Sequence, residues 1–403
     1  MKRIYIAAFH QSKFGKLMGM TVPEIAQNAI LDVCKEINTD PSLLDMGAVG
    51  SACNMTLNEQ GLVSALVASV PGLEHKPIES VENACASGGQ AVLSTILKLQ
   101  AGWGDVGFAL GYEKMRDSEG KMDGKLIGHA LGVYSHPDER PGRVYVFPHL
   151  FAQVQECYMK RYKVSEADLA AIAVQEYANG NLNALAQMSK VKVTLHDVVT
   201  ISERNRYIID GLPLKTYECS QITDGYATMI LATEEGLKKL GVSKADTVEI
   251  AGYAQATDPL MTQGRDVLHP AGAYCAMKRA YQMAGVSPKD VKVAEVHDCF
   301  TVMGAIATEV IGKAKPGEGA KYWVEGKAAP GGKGECAINP SGGLIAKGHP
   351  VGATGVAMLG TCFKQLMQRS TPGLQVPDAE VAATFNVGGT AVASVCTVLK
   401  RPS

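Results

Sequence analysis

One order of elements occurs twice along this 403-residue chain. A helical stretch that Thr21 can cap runs through Ile25, Ile30, Val33 and Ile37 and stops at Asp40-Pro41; an apolar strand, Ala48–Ala52, then runs into Cys53. Downstream, the helical stretch Ala271–Ala284 stops at Ser287-Pro288, and the strand Val291–Val296 runs into His297-Asp298-Cys299. Proline closes each helix because it lacks the amide proton that another turn would use. Each copy also holds a glycine-bearing turn that opens an apolar helix, Asn83–Gly89 in the first and Ser341–Gly355 in the second. The run Val381–Gly389 takes the place that Val106–Gly111 holds earlier. Such a recurrence predicts an α/β fold of two similar halves with a mainly parallel central sheet.

Residues 116–217 interrupt the pattern. Met122, Tyr134, Tyr145 and Phe147 gather around Pro137, Pro141 and Pro148, and helical segments follow at Phe151–Tyr162 and Ala167–Gln187. An insertion of this length between sheet units reads as a loop or lid domain that shapes a substrate site. The expected organisation is an N-terminal half over 1–115, completed by 218–262, a lid over 116–217 and a C-terminal half over 263–403.

Composition narrows the partners. Net charge is −1, and no basic run exceeds a pair such as Lys238-Lys239, so neither nucleic acid nor an anionic membrane is favoured. No apolar run reaches the eighteen or so residues of a membrane span, and Ile4–Phe9 after Met1-Lys2-Arg3 is too short for a secretory core. The end, Lys400-Arg401-Pro402-Ser403, has no peroxisomal tripeptide, so the cytoplasm is the expected location. Ten scattered cysteines with no C-x-x-C pair read as reduced thiols, and no metal site is expected from their spacing.

Four stretches hold candidate chemistry. Cys85 lies between a strand and a helix-opening turn, where the positive helix end favours thiolate; a small buried thiol is the plain alternative. His349 takes the equivalent position in the second half, in a stretch with five glycines among fifteen residues, and could serve as the base a thiol nucleophile needs. Cys299 closes a strand whose C-terminal end would face a ligand crevice, although a capping Asp and a buried Cys also explain His297-Asp298-Cys299. Phe385-Asn386-Val387-Gly388-Gly389 ends a further strand, and its amides could receive an oxyanion or simply form a tight turn. Gly342–Lys347 lacks the Gly-Lys-Ser/Thr ending of a phosphate loop, and Gly352–Gly355 lacks a dinucleotide fingerprint.

Together, Asn83-Ala84-Cys85-Ala86-Ser87-Gly88, His297-Asp298-Cys299-Phe300, Gly348–Gly355 and Asn386-Val387-Gly388-Gly389 resemble the thiolase superfamily over almost the whole chain. The likeness is to the sterol-carrier-type and archaeal branch. Most thiolases carry Asn-Glu-Ala-Phe at 297–300 and a second catalytic cysteine at 386. The resemblance implies the thiolase fold: two repeated βαβαβαββ-type halves in a layered α-β-α-β-α arrangement with an inserted loop domain.

It also implies roles. Cys85, deprotonated with help from His349, would attack the 3-keto carbon of a 3-oxoacyl-CoA, and Cys299 would protonate the departing carbanion. The amides of Cys85 and Gly388 would form one oxyanion hole, His349 and His297 the other, while Asn386, Gly348 and Ala353 would border substrate. Coenzyme A would be a substrate, with no tightly bound cofactor. Acetoacetyl-CoA is the generic substrate, and a bulkier, aromatic one such as benzoylsuccinyl-CoA is the other candidate. A homodimer or dimer of dimers is implied, as is a small zinc- and OB-fold partner that helps hold CoA. Competing readings are a ketosynthase or HMG-CoA-synthase-like condensing enzyme, which would not need Cys299, and a non-catalytic acyl-binding subunit.

Overall fold

The computed structural model describes residues 2–332, 334 and 336–402; Met1 and Ser403, on which the expectation about targeting partly rests, lie outside the described residues. The strands are β1 (Tyr5–Gln11), β2 (Met46–Gly50), β3 (Ile78–Val81), β4 (Val106–Glu113), β5 (Gly225–Ala232), β6 (Val248–Thr257), β7 (Val293–Val296), β8 (Ala337–Ile338), β9 (Val381–Gly388) and β10 (Ala393–Lys400). They hydrogen-bond in the order β3-β2-β4-β5-β1-β6-β10-β9-β7-β8. Replacing β6 to β10 by β1 to β5 turns the second five into the mirror of the first, so the repeat seen along the chain is a repeat in space. The two five-stranded sets join through a short antiparallel pairing in which Tyr5 and Ile6 face Glu249 and Val248.

The sheet is mixed rather than mainly parallel. β2 runs parallel to β3 and β4, and β7 to β8 and β9. The remaining pairs are antiparallel. In the second half a tight connection joins β9 to β10, and such a turn can only reverse the chain. β6, which precedes residue 262, pairs with β10 from Glu249 to Thr257 and stands as the counterpart of β1. On that ground we place the join between halves in the segment 233–247.

Helices sort onto the sheets by their apolar faces. The helix Val22–Lys35 starts at a Thr21–Glu24 capping box and packs on β1, β4 and β5. Ala271–Ala284 packs on β6 and β10 in the other half. Between the two sets lie Ser87–Gln100 and Thr354–Leu366, which touch each other and strands of both halves. The result is a helix–sheet–helix–sheet–helix stack. The central helices meet at backbone distance: a Cβ on Gly355 would lie 2.1 Å from the Gly89 nitrogen, and one on Gly88 would lie 2.5 Å from the Gly352 oxygen. Only glycine fits there.

The insertion docks on both halves: Gly124–Gly132 packs on Asn54–Asn58 of the half it interrupts, and the longer helices pack on the other half. Phe151, Tyr158, Leu169 and Ile172 join one apolar cluster with Val296, Phe300, Met303 and Ile306. The Phe151 and Phe300 rings stack with centroids 4.6 Å apart.

Candidate active site

Cys85 sits on a turn held by its own hydrogen bonds. The Ala86 amide donates to Asn83 O (3.0 Å), and the Ser87 hydroxyl donates to Ala84 O (2.6 Å). Ala84 has φ +49, a left-handed conformation unusual for a residue with a Cβ. It tips Cys85 out of line just before the helix Ser87–Gln100 begins. The end of β9 lies directly beneath, where a Cβ on Gly388 would be 2.3 Å from Asn83 O.

From the other half come His297, just after β7, and His349, just before the helix Thr354–Leu366. Their rings meet edge to face, with centroids 5.0 Å apart and planes at 89°. The Cys85 sulfur and one ring nitrogen of each histidine lie within 4.8 Å of one another. Cys299 is buried in the same wall, its carbonyl accepting from the Ser220 amide at 2.9 Å. All four side chains line one cavity of about 320 Å³. Met115, Leu131, Tyr145, Phe147, Phe151 and Phe300 supply much of its apolar wall.

Burial decides the charges. It pushes the Cys85 thiol up to about 12, with the Glu113 carboxylate adding to the shift, while the amides of Cys85 itself and Gly389 pull the other way. The expectation that the helix end leaves a resting thiolate is reversed, because desolvation outweighs the few donors that face the sulfur. Burial also pushes Cys299 well above the usual thiol range. It holds His349 down to about 3 and His297 well below its ordinary value, His349 adding to the latter shift. At neutral pH the cavity holds two thiols and two neutral imidazoles.

The other expected positions fall elsewhere. Gly388 packs against the turn, and Gly389 is the glycine that lines the cavity. Asn386 is buried behind the site, Ala353 is in the apolar core, and Gly348 backs onto Thr223 with φ +111. None of the three lines the cavity. Three supporting residues carried weak sequence signals. Glu113 ends an otherwise apolar strand and accepts from the amides of Ala52 (3.0 Å), Cys53 (2.9 Å) and Gly352 (3.0 Å), tying the halves together. Thr354 lies 2.7 Å from His349 Nδ1, and Thr223 accepts the His349 amide at 3.0 Å. Thr223 follows Ser220–Ile222, which line the cavity with no local pattern to mark them.

Cys85, His297 and His349 are also the one group of possible metal ligands among the described residues close enough to share an ion.

The thiolase N-terminal domain family matches residues 4–235, and the thiolase C-terminal domain-like family matches 254–401. The chain belongs to the thiolase family. It is 33% identical over 399 residues to an acetyl-CoA acetyltransferase of Methanocaldococcus jannaschii, covering 97% of each chain. It is 29% identical to the benzoylsuccinyl-CoA thiolase subunit BbsB of Thauera aromatica, covering 96% of this chain and 95% of the other. The sterol carrier protein 2 of Homo sapiens is 28% identical, over 96% of this chain and 70% of that protein. Among solved structures, human mitochondrial 3-ketoacyl-CoA thiolase shares the fold with a TM-score of 0.71 at 16% identity, covering 100% of this chain and 99% of that one. The Ltp2-ChsH2(DUF35) aldolase does so with a TM-score of 0.80 at 19% identity, covering 99% and 98%. This thiolase is thus an acyltransferase acting on acyl-CoA thioesters.

Proposed function

We propose that this thiolase cleaves or forms 3-oxoacyl-CoA through a thioester on Cys85. The carrying observation is that Cys85, His297, Cys299 and His349, contributed by both halves, line one cavity. The Thr354 hydroxyl lies 3.0 Å from Pro350 O and 2.7 Å from His349 Nδ1; in this reading it donates to the carbonyl and accepts from His349 Nδ1–H. The neutral ring then has a bare Nε2, the lone pair that can take the Cys85 proton as sulfur attacks the 3-keto carbon. The C2–C3 bond breaks with its electron pair on C2, and the Cys299 thiol gives that carbon its proton. A thiol with raised pKa suits this step, because it keeps its proton until a stronger base forms beside it. Coenzyme A then takes the acyl group from Cys85. In the condensation direction Cys299 removes the α-proton instead. The oxygen of each tetrahedral intermediate is received by the amides of Cys85 and Gly389 or by the two imidazoles.

The acyl group this cavity fits is apolar and larger than acetyl, since Phe147, Phe151, Phe300, Leu131 and Met115 line it and, among the described residues, no lysine or arginine does. Coenzyme A is a substrate rather than a resident cofactor in this reading. Ten free cysteines favour a reducing compartment, the cytoplasm. An assembly of at least two copies, with a small CoA-holding partner protein, is part of the proposal, supported by the relative named as a subunit.

The deciding experiment is CoA-dependent cleavage of short, long and aromatic 3-oxoacyl-CoAs, with intact-mass detection of the acyl-enzyme. Wild type is expected to turn over the bulkier neutral substrates best and to carry the acyl group on Cys85. A Cys299→Ala variant is expected to lose cleavage while still accepting the acyl group from a simple acyl-CoA. Retained cleavage in that variant would overturn the role given to Cys299 and favour a ketosynthase-like site.

A further inference from the structure

The two histidines are chemically alike, both buried and beside the same sulfur, yet the mechanism needs one bare nitrogen and one N–H. The hydrogen bonds behind them differ in sense. Asn386 Oδ1 accepts from the Gly89 amide at 3.2 Å, and its Nδ2 donates to Cys85 O at 3.1 Å. A backbone N–H can only donate and a backbone C=O can only accept, so these two contacts fix which way the Asn386 amide points. Its second N–H is then aimed at His297 Nδ1, 3.2 Å away. That nitrogen must offer a lone pair, and the single proton of the neutral ring is left on Nε2. His349 is held in the opposite sense by Thr354.

We propose that Asn386 is a positioning residue that fixes His297 as the Nε2–H tautomer, making it an oxyanion donor while His349 remains the base, and that the same contact keeps Cys85, His297 and His349 from capturing a metal ion. A metal ion bound by the three side chains needs a bare Nε2 on both rings. His297 could supply one only by moving its proton to Nδ1, opposite the Asn386 N–H. Capture also needs the Cys85 thiol to give up its proton, and the ligating atoms of the thiol and the two imidazoles already lie within 4.8 Å of one another.

The substitution Asn386→Asp keeps the shape and the acceptor for Gly89 while replacing the donor to His297 Nδ1 and to Cys85 O by a second acceptor. His297 should then carry its proton on Nδ1. Three readouts follow. In ¹⁵N-histidine NMR of the wild-type enzyme, with His297 assigned by a His297→Asn variant, Nε2 is expected protonated and Nδ1 bare, and N386D is expected to reverse them. Zinc affinity, measured by competition with a chelating dye, is expected to rise at least tenfold in N386D. Turnover is expected to fall roughly 10²- to 10³-fold in kcat with KM little changed, the loss typical of one oxyanion donor.

A wild-type His297 protonated on Nδ1 overturns the proposal without any variant, as does an N386D spectrum or zinc affinity like wild type. The turnover arm rests on the thiolase reading, while the NMR and zinc arms do not. A tautomer switch with no thiolase activity in wild type would therefore count against that reading and leave this one standing.

Discussion

His349 is a neutral base facing a neutral thiol, and that pairing is testable by titration. With Cys85 pushed up to about 12 by burial and by Glu113, its thiolate fraction rises tenfold per pH unit until that value is approached. Alkylation of the free enzyme by iodoacetamide, followed by mass spectrometry, is therefore expected to accelerate from about pH 6 to 10 without a plateau. A plateau near neutrality would instead reveal a resting Cys85–His349 ion pair. Thr354 holds His349 at Nδ1, 2.7 Å away, which leaves Nε2 as the other ring nitrogen. Thr354→Val removes the acceptor for Nδ1–H and should slow acylation of Cys85 roughly 10- to 100-fold, part of the 10²–10⁴ a positioned base contributes. Stopped-flow release of CoA from an acyl-CoA measures it. Residue types alone pointed to Cys85 and His349; the charge state did not follow from them, because desolvation depends on what the rest of the chain wraps around them.

At the scale of elements, the site is the meeting point of two helix N-termini from opposite halves. Their approach leaves no room for a methyl group, since a Cβ on Gly355 would lie 2.3 Å from Asn386 Oδ1 as well as 2.1 Å from the Gly89 nitrogen. Gly355→Ala should therefore cost about 1–3 kcal/mol in urea unfolding and reduce turnover further than that loss of stability explains, by separating Cys85 from His349. A variant with wild-type turnover would show that the helices have slack. The glycines near 88 and 355 were legible as a sign of close approach. What they approach was not, because the paired glycines, Gly88 with Gly352 and Gly89 with Gly355, lie in opposite halves of the chain.

For the whole molecule, one contact that attaches the insertion depends on pH. Glu309, on the helix Thr301–Val310, receives the Tyr158 hydroxyl from the inserted segment and the amides of Gly317 and Gly319. Burial raises its carboxyl from 4.5 to about 7, outweighing those donors. The folded protein thus holds a proton there that the unfolded chain has released, and the contribution to stability is full below about 4.5 and is lost as pH rises toward about 7. Glu309→Gln should flatten the pH dependence of the urea midpoint across that window. An unchanged slope would place the titration elsewhere.

The sequence by itself carried the recurring order of elements, the four motif stretches and the loss of that order after about residue 115, because periodicity, proline stops and glycine turns are local signals written in adjacent residues. Only the tertiary structure decided the mixed strand directions, the docking of the insertion's longer helices onto the half it does not interrupt, and the placing of Asn386 between Cys85 and His297. These last depend on which surfaces pack across the centre of the molecule. There the desolvation of a thiol and the sense of a single hydrogen bond are set by atoms that share no stretch of chain.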